Sequence, residues 1–156
     1  MQVRILALGQ KMPSWVDSAC ADYLKRFPRE IDVNLTTLPI ASRKSKDSVD
    51  RMKLVESKMI MEKLGSGGLN IALDEHGELW SSQDWAKQME SWMLSHPQVN
   101  LIIGGPDGLS ESCRQACQKT VALGKITMPH SLARVVLVEQ LYRALTILKG
   151  HPYHRE

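Results

Sequence analysis

The C-terminal residues carry side chains suited to proton transfer and to phosphate binding. His151, Tyr153, His154 and Arg155 lie within a few consecutive positions. An imidazole exchanges protons near neutral pH, an arginine pairs with phosphate, and a tyrosine ring can stack on a nucleic-acid base. Chain ends usually fray, but Pro152 restricts the flexibility of this one. The C-terminal segment is therefore a candidate for chemistry on a nucleotide.

A glycine cluster forms a second candidate. Residues 104–108 are Gly-Gly-Pro-Asp-Gly and directly follow the apolar run 99–103. Glycine admits a positive φ and lets a ligand approach the backbone closely, so free amides here could hold a nucleotide-like ligand. A purely structural strand-to-helix turn explains the cluster equally well. The pattern is neither a dinucleotide-binding G-x-G-x-x-G after the first strand nor a P-loop.

A short basic run is a weaker candidate for contact with phosphates. Arg43, Lys44 and Lys46 could bind a polyanion with a salt-dependent affinity. Most such runs are simply solvated surface, and Asp47 and Asp50 dilute the positive charge of this one.

The cysteines and His130 are interpreted as structural residues. Cys20, Cys113 and Cys117 are too few and too scattered for a disulfide framework, which indicates a reducing compartment. Cys113 and Cys117 are spaced for one helix face, and we expect them to face the core. A zinc site would need further ligands nearby, so we expect no metal. His130 follows Pro129 and is expected to be a turn residue.

Short apolar runs that alternate with longer periodic segments predict the elements that position these groups. Strands are predicted at residues 3–8, 32–38, 69–73 and 99–103, with a strand-like stretch at 121–128. Helices are predicted to begin at residues 13–14, about 47, 81–82, 110 and about 131, and to end before 28 and near 64, 95, 119 and 148. Strands separated by helices indicate a parallel α/β sheet with helices on both faces. Ligands of such sheets bind beyond the carboxyl ends of the strands, here after Leu73, after Ile103 and around Gly124.

The last predicted helix is apolar around most of its circumference, which indicates burial on more than one side. Either a second subunit or a central position in a monomer would satisfy that pattern. Its apolar residues are Leu132, Val135, Val136, Leu137, Val138, Leu141, Tyr142, Leu145, Ile147 and Leu148.

Length and composition fit one globular domain spanning residues 1–156, with 43% hydrophobic and 24% charged residues. The net charge of +3 permits binding to nucleic acid but does not require it. No apolar run approaches the roughly 20 residues of a membrane span, and the N-terminus lacks a signal-peptide pattern. We therefore expect a cytoplasmic protein.

Three segments together resemble one family. They are residues 101–108 (LIIGGPDG), 123–130 (LGKITMPH) and 151–156 (HPYHRE), supported by residues 11–15 (KMPSW) and 23–28 (YLKRFP). Their order and spacing closely resemble the RlmH family of SPOUT methyltransferases over essentially the whole chain. Each segment alone is modestly specific, whereas the set is highly specific.

The resemblance implies a SPOUT α/β fold with a C-terminal trefoil knot, a homodimer, and S-adenosylmethionine as methyl donor. General rules of chain topology would not have predicted a knot. The donor contacts implied by motif matching are Leu73, Gly104, Gly105, Leu123, Gly124, Lys125, Ile126, Thr127 and Met128. Gly124 departs from the family pattern, in which we expect a serine or another small residue. Main-chain contacts to the adenine should survive that difference.

The resemblance further implies methylation of N3 of a pseudouridine in 23S ribosomal RNA, on the assembled 70S ribosome. His151, Tyr153, His154 and Arg155 are then the candidate catalytic residues, with the tail of one subunit near the donor pocket of the other. Their individual roles stay open, including which group removes the N3 proton. The alternative is a non-catalytic ribosome- or RNA-binding α/β module, which would use the basic run and the tail equally well.

Overall fold

The computed structural model describes residues 1–41 and 48–155 and shows strands that alternate with helices. The basic residues 43, 44 and 46 lie outside the described part of the chain. The strands are β1 Gln2–Leu8, β2 Asp32–Leu38, β3 Leu69–Leu79, β4 Gln98–Ile103 and β5 Lys119–Ala122. The helices are α1 Ser14–Leu24, α2 Val49–Leu64, α3 Ser82–Ser95, α4 Glu111–Gln115 and α5 His130–Leu148, followed by a 3-10 turn, Pro152–His154.

The five strands form one parallel sheet in the order β2-β1-β4-β3-β5. The register aligns one position in each of the three neighbouring strands β4, β3 and β5. Leu73 of β3 pairs with Ile103 of β4 on one side and with Val121 of β5 on the other. The segments that follow these three positions therefore emerge side by side at the carboxyl edge of the sheet.

Helices cover both faces of the sheet, as the sequence predicts. Alternate side chains of a strand point to opposite faces, so Ile5 joins the core beneath α1, α3 and α5, whereas Leu6 joins the core beneath α2 and α4. The larger core includes Trp85 and Trp92 of α3, each 1% exposed. Burial on both faces explains why β1 and β4, at the centre of the sheet, are largely apolar.

Serine side chains cap the N-termini of three helices. Ser48 accepts a hydrogen bond from the amide of Arg51, and Ser110 accepts one from the amide of Cys113. Ser81 forms a reciprocal capping box with Asp84. Each cap satisfies an amide that the first helical turn would leave unpaired.

Three predicted boundaries were wrong. The strand-like stretch predicted at residues 121–128 forms a strand at Lys119–Ala122, and a loop leads from there to α5. Helix α4 ends at Gln115, not near Lys119, because the chain turns to pair with β3: the amide of Gln118 donates to the carbonyl of Asn70 at 2.9 Å. Strand β3 runs on to Leu79 through the polar residues 74–78. Its pairing with β5 shifts between Leu73 and Glu78, which marks a bulge.

None of the helices in residues 1–41 and 48–155 combines the length and the apolar character needed to cross a membrane.

Candidate functional site

A cleft of about 730 Å³ opens at the carboxyl edge of the sheet. Its walls include residues 73–76 of β3, the segments after β4 and β5, and the first turn of α5. The aligned register of these strands brings the three segments together. A cleft of this size suits a small-molecule ligand, and its position is the one that parallel α/β sheets use for ligands.

Most of the residues that motif matching selected line this cleft. The lining includes Leu73, Gly104, Gly105, Leu123, Gly124, Ile126, Thr127 and Met128. Lys125 is exposed and is not among the lining residues. Apolar and polar side chains contribute to the wall in similar numbers. Ile126, in the loop between β5 and α5, leaves 74% of its surface exposed.

The glycine turn after β4 is tightly closed on itself. The amide of Gly108 donates to the carbonyl of Gly105 at 3.0 Å, and Gly108 has a φ of +76°. A Cβ at Gly104 would lie 2.7 Å from the carbonyl carbon of Gly108, a distance that real Cβ atoms do not reach. A Cβ at Gly105 would meet nothing closer than 3.6 Å. The turn therefore requires glycine at position 104 but not at position 105.

Helix α2 contacts the glycine turn from the face of the sheet that lies opposite to α1, α3 and α5. The Ser57 hydroxyl contacts the Ser110 hydroxyl in a short hydrogen bond and donates to the carbonyl of Lys53 at 2.8 Å. The buried Glu56 carboxylate lies beside Gly105 and accepts a hydrogen bond from the amide of Ala41 at 3.2 Å. These contacts fix the position of the turn relative to α2.

An ion pair forms the charged part of the cleft wall. The Arg114 guanidinium donates to Asp74 Oδ2 at 3.2 Å, and Asp74 Oδ1 accepts from the amide of His76 at 3.0 Å. The Asp74 side chain is only 10% exposed. Burial pushes the pKa of Asp74 upward, but the hydrogen bonds from His76 and Arg114 outweigh it, so the net pKa is lowered. Asp74 is therefore ionised at neutral pH.

The expectation that His130 is a turn residue was wrong. His130 is the first residue of α5 and lines the cleft. Burial and the nearby charge of Arg134 lower its pKa, so the imidazole is neutral at pH 7. Arg134 is 1% exposed and donates to the carbonyls of Leu8 and Gly9 at 2.9 and 2.6 Å, which anchors α5 to the end of β1.

The C-terminal tail is ordered against α1 and α5. The amide of His151 donates to the carbonyl of Thr146 at 2.9 Å, and the Tyr153 hydroxyl lies 3.0 Å from Glu139 Oε1 and 3.1 Å from the Tyr23 hydroxyl. Burial, followed by these two partners, raises the pKa of Tyr153, so its hydroxyl stays protonated at neutral pH. The single hydroxyl proton of Tyr153 is directed to Glu139 or Tyr23, and the side chain is a poor proton acceptor.

Within one copy of the chain, the tail and the cleft lie apart. His130 and Ala133, at the start of α5, line the cleft, whereas the tail follows the end of the same helix, about 27 Å further along its axis. The tail folds back only as far as Glu139. His151, Tyr153, His154 and Arg155 are not among the residues that line their own chain's cleft.

The chemistry of the cleft suits a ligand with an apolar ring system and a charged end. Main-chain groups of two loops and aliphatic side chains face one part of it, and Asp74 and Arg114 lie in its wall. In the described part of the chain, no cluster of three or more histidine, cysteine, aspartate or glutamate residues is arranged to hold a metal ion.

Comparison with known proteins agrees with this geometry. The family model described as "Predicted SPOUT methyltransferase" matches residues 1–154. The chain belongs to the SPOUT methyltransferase family. This SPOUT methyltransferase is 44% identical, over 156 residues and the full length of both chains, to a protein of Hahella chejuensis named "Ribosomal RNA large subunit methyltransferase H". A protein of the same name from Methylobacillus flagellatus is also 44% identical over the full length of both chains.

The fold of this SPOUT methyltransferase also recurs in solved structures. A probable methylase family protein from Haemophilus influenzae superimposes with a TM-score of 0.60, covering 99% of this chain and 70% of that one, at 10% identity. At that identity the likeness concerns the fold alone.

Sequence reasoning missed several titratable residues of the cleft in this SPOUT methyltransferase. Lys53, Asp74, Arg114 and His130 all line it. Asp74 directly follows the predicted third strand, which was the available signal for it. Arg114 lies four positions after Ser110 in a helix whose orientation the sequence does not specify.

Proposed function

We propose that this SPOUT methyltransferase transfers the methyl group of S-adenosylmethionine to N3 of a pseudouridine in large-subunit ribosomal RNA, in the cytoplasm. The observation that carries the proposal is the cleft at three aligned strand ends, in a chain that matches proteins named for ribosomal RNA methylation over its full length. The whole chain, residues 1–156, would act as one catalytic domain.

The residues present fit the proposed donor. Gly104 and Gly124 both line the cleft and carry no side chain, so both loops can offer main-chain groups to a ligand. Leu73, Ile126 and Met128 supply apolar surface for the adenine. When bound there, S-adenosylmethionine supplies an electrophilic methyl group on a sulfonium.

The protein's part in the reaction is to align the reactants and to assist removal of the proton on N3. N3 of the base would form the new bond to the methyl carbon as the carbon–sulfur bond breaks. The electron pair of the carbon–sulfur bond would stay on the sulfur. Alignment of the three atoms is the main source of acceleration in such a displacement. The N3 proton would leave to a nearby side chain or to water.

We propose that the tail acts on the cleft of a second subunit in a homodimer. His151, Tyr153, His154 and Arg155 do not line the cleft of their own chain, although they carry the side chains suited to chemistry. Exposed apolar residues support a second burial surface: Trp15 on α1 is 52% exposed and Leu132 on α5 is 38% exposed. Exposed large apolar side chains on two adjacent helices are typical of interfaces.

Two finer features accompany the proposal. The loop between β5 and α5 would form part of a trefoil knot, as the family resemblance implies. The 70S ribosome, and not naked RNA, would be the substrate, because a chain of this size with a net charge of +3 carries little surface for RNA recognition of its own.

Mass spectrometry of ribosomal RNA tests the reaction. Cells that lack the gene should lose one methyl group from one modified uridine, and the wild-type gene should restore it. RNA that retains every methyl group would contradict the proposal. Calorimetry separates the alternative, a non-catalytic RNA-binding module, because such a module would release no heat with S-adenosylmethionine.

Subunit mixing tests the role of the tail. A chain that lacks residues 151–156 should bind the donor but not methylate ribosomes, and a Gly104→Ala chain should be inactive because its donor turn is distorted. Mixing the two should restore part of the activity, since one kind of mixed site has an intact cleft and an intact tail. Full activity of the truncated chain alone would refute the tail's involvement.

A further inference from the structure

The proposed donor has two chemically different ends, and the turns described so far suit only one of them. Main-chain groups and apolar side chains fit the adenosine. The amino-acid end carries an α-carboxylate and an α-ammonium, and a charged group that leaves water needs a charged or hydrogen-bonding partner. A cation in the cleft wall would supply that partner for the carboxylate.

The described residues that line the cleft include two permanent cations, Lys53 and Arg114. Arg114 is the one that the structure holds in place. Its guanidinium donates to Asp74 Oδ2 at 3.2 Å, and Asp74 is itself fixed by the amide of His76 at 3.0 Å. Asp74 immediately follows Leu73, so the ion pair lies directly beside a proposed donor contact.

The guanidinium of Arg114 retains capacity for a ligand. Its side chain is 33% exposed, whereas that of Asp74 is 10% exposed, so the arginine faces the open side of the pair. A guanidinium has five N–H donors in a planar fork that matches a carboxylate, and among the described residues only Asp74 accepts a side-chain hydrogen bond from it.

A second hollow supports the same placement. It measures about 470 Å³, adjoins the cleft and shares Asp74, His76 and Arg114 with it. The ion pair therefore lies between two adjacent spaces, where a ligand in the cleft can contact it.

We propose that Arg114, oriented by Asp74, binds the α-carboxylate of the methyl donor. This inference rests on the proposed function, since it assumes that the cleft takes S-adenosylmethionine. Arg114 lies in α4, outside the donor loops. In this inference it lets the protein distinguish S-adenosyl amino acids from adenosine thioethers that lack the amino acid. A bidentate contact of this type adds geometric selection as well as binding energy.

Calorimetry with two ligands tests the proposal. S-adenosylhomocysteine carries the amino acid, and 5′-methylthioadenosine lacks it. Arg114→Gln should weaken binding of S-adenosylhomocysteine about tenfold, the lower range for a hydrogen bond to a charged group at a partly exposed site. The same variant should leave the affinity for 5′-methylthioadenosine unchanged, because that ligand has no carboxylate. Arg114→Lys should recover part of the loss.

The matched control is Lys53→Gln, which removes the other permanent cation of the same cleft wall. It should reduce the affinity for S-adenosylhomocysteine by less than Arg114→Gln does. Equal losses of both ligands in Arg114→Gln would show that Arg114 only maintains the structure, and would overturn the inference. So would an unchanged affinity for S-adenosylhomocysteine. If the wild-type protein bound neither ligand, the proposed function itself would fall.

Discussion

The glycine turn offers the sharpest structural prediction, because two neighbouring glycines differ in what an added methyl group would meet. In Gly104→Ala, the new Cβ would lie 2.7 Å from the carbonyl carbon of Gly108 and 2.9 Å from the amide nitrogen of Leu109. Both neighbours are backbone atoms, so no side chain can rotate away to relieve the clash. The turn would have to open.

The expected cost follows from the overpacking of a tight site. Forced backbone shifts of this kind destabilise proteins by about 1–3 kcal/mol. For a chain of this length, each kcal/mol lowers Tm by about 2–4 °C. Since the opened turn would also lose its fit to the donor, the affinity for S-adenosylmethionine should fall by at least about tenfold, equivalent to 1.4 kcal/mol.

Gly105→Ala is the matched control for stability. Its Cβ would lie 3.6 Å from Glu56 Oε2 and 3.7 Å from the Cβ of Leu8, which are ordinary contacts. Gly124→Ser is the control for binding, because a Cβ there meets nothing within 4 Å and the proposed main-chain contacts to the adenine would not use the side chain. Gly105→Ala should keep the wild-type Tm, and Gly124→Ser should keep the wild-type donor affinity.

Thermal denaturation and calorimetric titration with S-adenosylmethionine measure both quantities on the same preparations. The reasoning would be refuted if Gly104→Ala had the same Tm as Gly105→Ala. It would also be refuted if Gly104→Ala bound the donor as tightly as the wild-type protein, since the turn would then contribute nothing to the cleft.

Three further changes have defined outcomes. Tyr153→Phe removes the hydroxyl that lies 3.0 Å from Glu139 Oε1 and should lower the free energy of unfolding by about 1 kcal/mol in urea denaturation; an unchanged value would mean that this contact contributes nothing. His130 has a folded pKa below its ordinary 6.5, so the unfolded state binds more protons and stability should fall as pH drops from 6.5 towards the folded pKa. His130→Gln should lose less stability over that window in urea denaturation, and an identical pH dependence would contradict the shift. Ser110→Ala and Ser81→Ala each remove a helix cap worth about 1 kcal/mol, but only Ser110→Ala, beside the glycine turn, should weaken donor binding in calorimetry; equal donor affinities would contradict that link.

The sheet and most of the helices were predictable because their signals are local. The strand at Asp32–Leu38 has the predicted bounds, and the helix that ends at Ser95 begins at its predicted serine cap. Apolar runs between periodic segments specify a parallel sheet, and the rule that ligands bind at the strand ends then locates the cleft. Eight of the nine residues selected by motif matching line it, all except Lys125.

The errors arose where tertiary pairing overrides local preference. Residues 74–77 are polar with a final glycine, which predicts a loop, yet β3 resumes its pairing at Glu78. Gly77 is needed there because a Cβ would lie 2.6 Å from the amide nitrogen of Val121. Such a close crossing of two distant segments leaves no pattern in the sequence.

The charged wall of the cleft could not be predicted for the same reason. Asp74 and Arg114 are 40 positions apart, and their ion pair depends on how α4 packs beside β3. The position of the tail was equally hidden. Its residue types indicated chemistry, but only the structure shows that Tyr153 folds back along α5 to Glu139 and does not line the cleft of its own chain.

The central claim is that three converging turns bind the methyl donor, and a crystal structure with S-adenosylhomocysteine tests it most directly. The account predicts the adenosine between the turn at Gly104 and the loop of residues 123–128, in contact with Leu73, with a second copy's tail across the opening. Density for the ligand at any other place, or none at saturating concentration, would contradict it.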